Sequence, residues 1–93
     1  MAQASDRHQY FVLQAQQKIF NKLCIAYRRS HQDSAFSVMA EDLRRELTIP
    51  EAIFAEALES FVDATGERIV EVIERDGKRY LKPGVTTRSN LSY

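Results

Sequence analysis

Apolar residues along this 93-residue chain recur first at helical spacing and then at alternate positions, which predicts an α+β domain of three helices followed by a two-stranded antiparallel hairpin. Three observations carry that reading. A stretch free of Gly and Pro runs from Asp6 to Arg29 with one apolar side. Two shorter amphipathic stretches lie on either side of Pro50. Asp76-Gly77 then divides two β-rich runs.

The length suits one domain, with a core over about 7–83, a loose lead at 1–6 and a loose tail at 84–93. An apolar fraction of 44% is ordinary for a folded protein and excludes wholesale disorder. Lys and Arg balance Asp and Glu, 13 against 13, so no overall surplus advertises a polyanion. Cys24 is the only cysteine, which rules out an intrachain disulfide and a thiolate zinc cage. Met1 to Asp6 lacks the apolar stretch of a signal peptide, and no run approaches membrane-spanning length; a cytoplasmic location is the expectation. Asn90-Leu91-Ser92 matches a glycosylation sequon, read here as chance.

The first helix is predicted from an Asp6 N-cap, with Gln9 three residues on, to Arg29. That is roughly 22 residues, or ~33 Å. Val12, Ile19, Phe20, Leu23, Cys24 and Tyr27 form its apolar side. Ser30 to Ser34 break it. Ala35-Phe36 is a brief extended segment, and Ser37 then caps a second helix carrying Met39, Ala40, Leu43 and Leu47. Pro50 opens a third helix through Phe54, Ala57, Leu58 and Phe61 to about Ala64, ended by Gly66. Folding about Asp76-Gly77 pairs Arg75 with Lys78, Glu74 with Arg79, Ile73 with Tyr80, Val72 with Leu81 and Glu71 with Lys82. Two of those pairs are oppositely charged and two are apolar, as cross-strand pairing favours.

Phe36-Ser37 lead into Ala40-x-x-Leu43-x-x-x-Leu47; Thr48-Ile49-Pro50 and Ile53-x-x-x-x-Leu58-x-x-Phe61 follow. Gly66, Arg68-Ile69-Val70, Asp76-Gly77 and Arg79-Tyr80-Leu81 complete the pattern. Over about 10–83 this order resembles the winged helix-turn-helix superfamily. The resemblance implies a nucleic-acid-binding, regulatory module, since many members lay the third helix in the DNA major groove with the wing beside it. Some members bind proteins instead, and fold alone does not choose.

The chain departs from that pattern in its third helix. Between Pro50 and Ala64 lie Glu51, Glu56, Glu59 and Asp63, with no Lys or Arg. Glu56, Glu59 and Asp63 are expected to face outward, where they repel a duplex rather than read bases. The positive charge lies elsewhere: Arg7, Lys18, Lys22, Arg28 and Arg29 without an acid between Arg7 and Gln32, and Arg75, Lys78, Arg79 and Lys82 in the hairpin. The hairpin cations, with Arg28 and Arg29, are the candidate phosphate contacts. The competing reading is a solvated surface.

No acid–base or nucleophile grouping is visible, so neither an enzyme nor a cofactor nor a metal is expected. His8 and His31 stand near opposite ends of the first helix, and Cys24 falls on its apolar side as a core residue. Tyr10, Phe11 and Ile25 lie off that side, while Gln16 lies near its centre. An N-terminal half that overhangs the domain accounts for both facts and predicts a homodimer through the first helix, with Gln16 at a polar junction. A protein-binding module using that apolar end, or acidic Glu56, Glu59 and Asp63, is the alternative function.

Overall fold

The structure, a computed structural model, describes residues 2–31, 33 and 35–90. Helix α1 (Ala2–Arg29) is longer than predicted. The Ala and Gln residues ahead of Asp6 are good helix formers, and the helix takes in residues 2–6, so Asp6 lies inside it and is not its N-cap. Val12, Ala15, Ile19, Leu23 and Tyr27 form its buried stripe. The helix stops where the Ser30 hydroxyl donates to the Tyr27 carbonyl at 2.6 Å and His31 turns left-handed at φ 61. Arg28 and Arg29 occupy its last turn, where positive charge offsets the helix dipole.

Strand β1 is Val38–Met39 and helix α2 is Ala40–Leu47. Both begin later than predicted. The extended pair is not Ala35-Phe36, and Met39, not Ser37, stands at the N-cap. The cause is a distant partner: Val38 pairs with Leu81 and Met39 with Tyr80. Helix α2 ends at Thr48 in the left-handed region, φ 56. Arg44 braces the turn, its Nη1 donating to the Ile49 carbonyl at 3.0 Å. Pro50, extended at φ −58, stands just before helix α3 (Glu51–Glu59).

Helix α3 is shorter than the predicted run to Ala64, and its last carbonyls show why. A helix end leaves four C=O groups without intrahelical donors. Here the Glu56 carbonyl takes the Ser60 N–H and hydroxyl. The Ala57 carbonyl takes Gln16 Nε2 at 3.1 Å. Leu58 and Glu59 take the two Arg68 Nη groups, at 3.0 and 3.1 Å, and Leu58 also takes the Phe61 N–H. Gln16 and Arg68 are remote in sequence, so no local signal marks this end. Asp63 therefore falls in a loop. Its carboxylate accepts from the Thr65 N–H and hydroxyl and the Glu67 N–H, and Gly66, at φ 89, closes that loop instead of ending the helix.

Strands β2 (Val70–Arg75) and β3 (Lys78–Pro83) form the hairpin in the register read from the sequence, extended by Val70 opposite Pro83. With β1 they make a three-stranded antiparallel sheet in the order β1-β3-β2. Val70 and Leu81 face α1, α2 and α3 in one core, with 1% and 0% of their surfaces exposed. Burying such a side chain stabilises by about 1.5–3 kcal/mol.

The expected loose tail holds a further helix, α4 (Val85–Asn90). Gly84 N–H donates to the Ile69 carbonyl at 2.8 Å, and buried Thr87 donates its hydroxyl to the same oxygen at 3.2 Å. Arg88 Nη1 lies 3.9 Å from the Glu71 carboxylate. Two residues of the sequon, Leu91 and Ser92, lie outside the described residues. No helix among the described residues is long and apolar enough to cross a membrane.

Candidate functional site

At the hairpin turn Asp76 and Gly77 both adopt positive φ, 52° and 75°, which is the backbone a two-residue I′-type turn needs. That turn places Arg75 and Lys78 directly opposite each other, both exposed. Directly opposite residues share a sheet face and alternate residues return to it. Arg75, Lys78, Tyr80 and Lys82 therefore stand on the outer face with Ile73 and Glu71. Val70, Leu81 and Pro83, all buried, define the inner face. The Arg75 guanidinium lies 5.1 Å from the centre of the Tyr80 ring, a cation–π contact that fixes it over the sheet.

Arg79 belongs to the other face. It stands opposite Glu74 and lines a cleft of about 400 Å³ between the hairpin, α2 and the first turn of α3. Four acids (Glu41, Asp42, Glu51, Glu74) and four bases (Arg44, Arg45, Lys78, Arg79) line that cleft, so it presents no net charge to an anion. Arg44 is held by Glu41 at 2.5 Å. That bond is the main cause that lowers the Glu41 carboxyl below its usual pKa. Lys82 is half-buried opposite Glu71. Among the described residues, neither Arg75 nor Lys78 has a carboxylate within ion-pair distance. Arg28 and Arg29 are exposed on α1, an element separate from the hairpin. By strand register, Arg75, Lys78 and Lys82 of the expected phosphate contacts share one face, Lys78 at the tip also bordering the cleft that Arg79 lines, while Arg28 and Arg29 lie on another element. Tyr80, not singled out in the sequence, joins the cluster; the predicted register already placed it two residues from Lys78 and Lys82 on the same face.

The residues expected at a protein interface divide similarly. Tyr10, Phe11 and Ile25 are about half exposed, at 56%, 53% and 48%, and the Tyr10 and Phe11 rings meet edge to face at 5.9 Å. Gln16 bonds the end of α3 within its own chain, which accounts for an amide near the apolar side without a second chain. From His8 on, the N-terminal half of α1 lies against the domain, since Val12 and Ala15 are buried and His8 contacts Glu56 of α3. Glu56 and Glu59 are exposed on α3, whereas Asp63 is absent from its face for the reason given above.

Other chemistry is sparse among the described residues. No group of three or more His, Cys, Asp and Glu could hold a metal ion. Cys24 is buried, and burial pushes its thiol pKa up despite the opposing Arg28 charge, which makes a poor nucleophile. Comparison with protein-family models, curated proteins and solved structures finds no match.

Proposed function

We propose that the chain is a winged-helix module that holds a nucleic-acid backbone against the outer face of the β2–β3 hairpin and does not read bases through α3. The connectivity helix, strand, helix, helix, strand, strand, with the sheet order β1-β3-β2, supports the winged-helix reading. One observation carries the functional reading. Arg75 and Lys78 face each other at an exposed hairpin tip. Like charges placed opposite cost stability unless an anion lies between them. Tyr80 beneath Arg75 and Lys82 further along continue a strip of cations around an aromatic ring, a surface suited to phosphate oxygens and sugar. Exposed Glu56 and Glu59 on α3 oppose a major-groove role for that helix.

Titration of a labelled duplex at two salt concentrations tests this reading. Wild type is expected to bind at low salt and to weaken steeply as salt rises. The double variant Arg75→Glu, Lys78→Glu is expected to lose affinity and to flatten the log–log slope by about 0.9 for each lost contact. Equal binding by wild type and a folded double variant rejects the proposal.

A further inference from the structure

Away from the hairpin, two depressions of about 320 and 370 Å³ share Thr48, Ile49 and Pro50 and so form one groove across the α2–α3 turn. Phe11 and Ala15 of α1 and Ile53 of α3 complete its apolar floor. Lys18 lies at one end and Arg44 and Arg45 at the other, and no acid lines either depression. In a chain of zero net charge that is a local separation of sign. Arg44 is occupied by Glu41 and the Ile49 carbonyl, which leaves Lys18 and Arg45 as the outward cations. Arg45 reaches Glu41 only at 3.4 Å and is 72% exposed.

We propose that this groove docks an acidic amphipathic helix of a partner protein. The partner's apolar side chains would lie between Phe11, Pro50 and Ile53, with its carboxylates at Lys18 and Arg45. Two physical points select that occupant. A nucleic-acid backbone offers no apolar group to cover a half-exposed Phe11, whereas an amphipathic helix presents apolar anchors at i, i+3, i+4 and i+7 with charge beside them. A second copy in a two-fold contact presents the same patch to itself and would bring cationic groove ends together. This proposal does not depend on the hairpin reading, because the residues involved are different.

The test is fluorescence anisotropy with a labelled synthetic peptide of about 15 residues, long enough to become helical on docking. One version carries Leu and Phe at those spacings with Glu beside them; the other replaces every Glu with Lys. The Glu peptide is expected to bind and the Lys peptide to fail. Lys18→Glu with Arg45→Glu should weaken the Glu peptide on the order of tenfold, and Phe11→Asp should abolish binding. All three positions are exposed, and circular dichroism with a thermal melt verifies that each variant folds. The hairpin variant Arg75→Glu, Lys78→Glu should bind the Glu peptide as wild type does. Equal binding of both peptides, or none, overturns the proposal. Displacement of the peptide by duplex DNA overturns it in favour of nucleic acid in the groove. A dimer in sedimentation that Phe11→Asp breaks and the peptide cannot enter overturns it in favour of a second copy.

Discussion

Gln16 Nε2 lies 3.0 Å from Ser60 Oγ and 3.1 Å from the Ala57 carbonyl, so one α1 amide supplies two bonds to the end of α3. Removing a donor from a half-buried acceptor costs about 1 kcal/mol, which in a domain of this size lowers Tm by about 4–8 °C. Gln16→Ala is expected to show that loss. A double-mutant cycle with Ser60→Ala should give a non-zero coupling, because the two side chains share a bond. The oligomeric state should not change with Gln16→Ala. A shift in sedimentation would place Gln16 at an interface between chains.

Gly84 is fixed by a different constraint. A Cβ there would stand 2.0 Å from the Arg68 carbonyl oxygen and 3.1 Å from that of Ile69, both backbone atoms that cannot rotate aside. Gly84→Ala should therefore destabilise by about 3 kcal/mol or more. At Gly77 a Cβ meets open space, and only the positive φ is unfavourable. Gly77→Ala should cost about 1–2 kcal/mol. Urea denaturation of the two variants distinguishes steric exclusion from backbone strain, and equal costs would contradict the packing of α4 against the Arg68-Ile69 turn.

These two cases also mark the boundary of what the chain's local pattern reveals. The register about Asp76-Gly77 was legible because turn chemistry and cross-strand charge agreed within twelve residues, Glu71 to Lys82. The stripe of α1 was legible because its core positions repeat at helical spacing. The end of α3, the start of β1 and the existence of α4 were not, since each depends on a remote partner: Gln16 and Arg68, Leu81 and Tyr80, and Ile69. Among the candidate hairpin cations, the register about Asp76-Gly77 puts Arg75, Lys78 and Lys82 on one face and Arg79 on the other, a division that charge by itself does not make. The bonds from Gln16 to α3 were not legible, because an amide on an apolar stripe has no sequence mark for an acceptor on another helix.

Asp63 makes stability depend on acid. Its carboxyl is held below its usual pKa, chiefly by the Thr65 hydroxyl, then by the Thr65 N–H, with smaller help from Glu67 and Gly66 N–H groups. A carboxyl that ionises more readily in the folded chain than in the unfolded one favours folding wherever it is ionised. Its contribution is complete above the ordinary aspartate range, about pH 4, and is lost as pH falls through the lower folded value. Asp63→Ala should reduce stability at neutral pH and make the acid limb of a Tm-against-pH curve shallower. Glu41, lowered chiefly by Arg44, retains part of that limb in the variant. An unchanged acid limb would show that the loop's bonds do not persist in solution.

The pair Arg75 and Lys78 separates a binding role from a structural one. Opposite like charges are unfavourable in the free protein, and the repulsion between two exposed groups is small. Lys78→Glu converts the repulsion into attraction across the turn and should raise stability by a few tenths of a kcal/mol. The same change should weaken duplex binding, since it removes a cation and adds a carboxylate beside phosphate. Opposite signs in the two measurements are the signature of a surface shaped by a ligand at some cost in stability. Arg79→Gln supplies the control, because Arg79 lies on the inner face opposite Glu74 and not on the outer strip. It should lose a cross-strand pair and a little stability while leaving the salt slope of duplex binding unchanged. If Lys78→Glu lowers stability and leaves binding alone, or if Arg79→Gln lowers the slope as much as Lys82→Gln does, the outer face of the hairpin is not where the backbone lies.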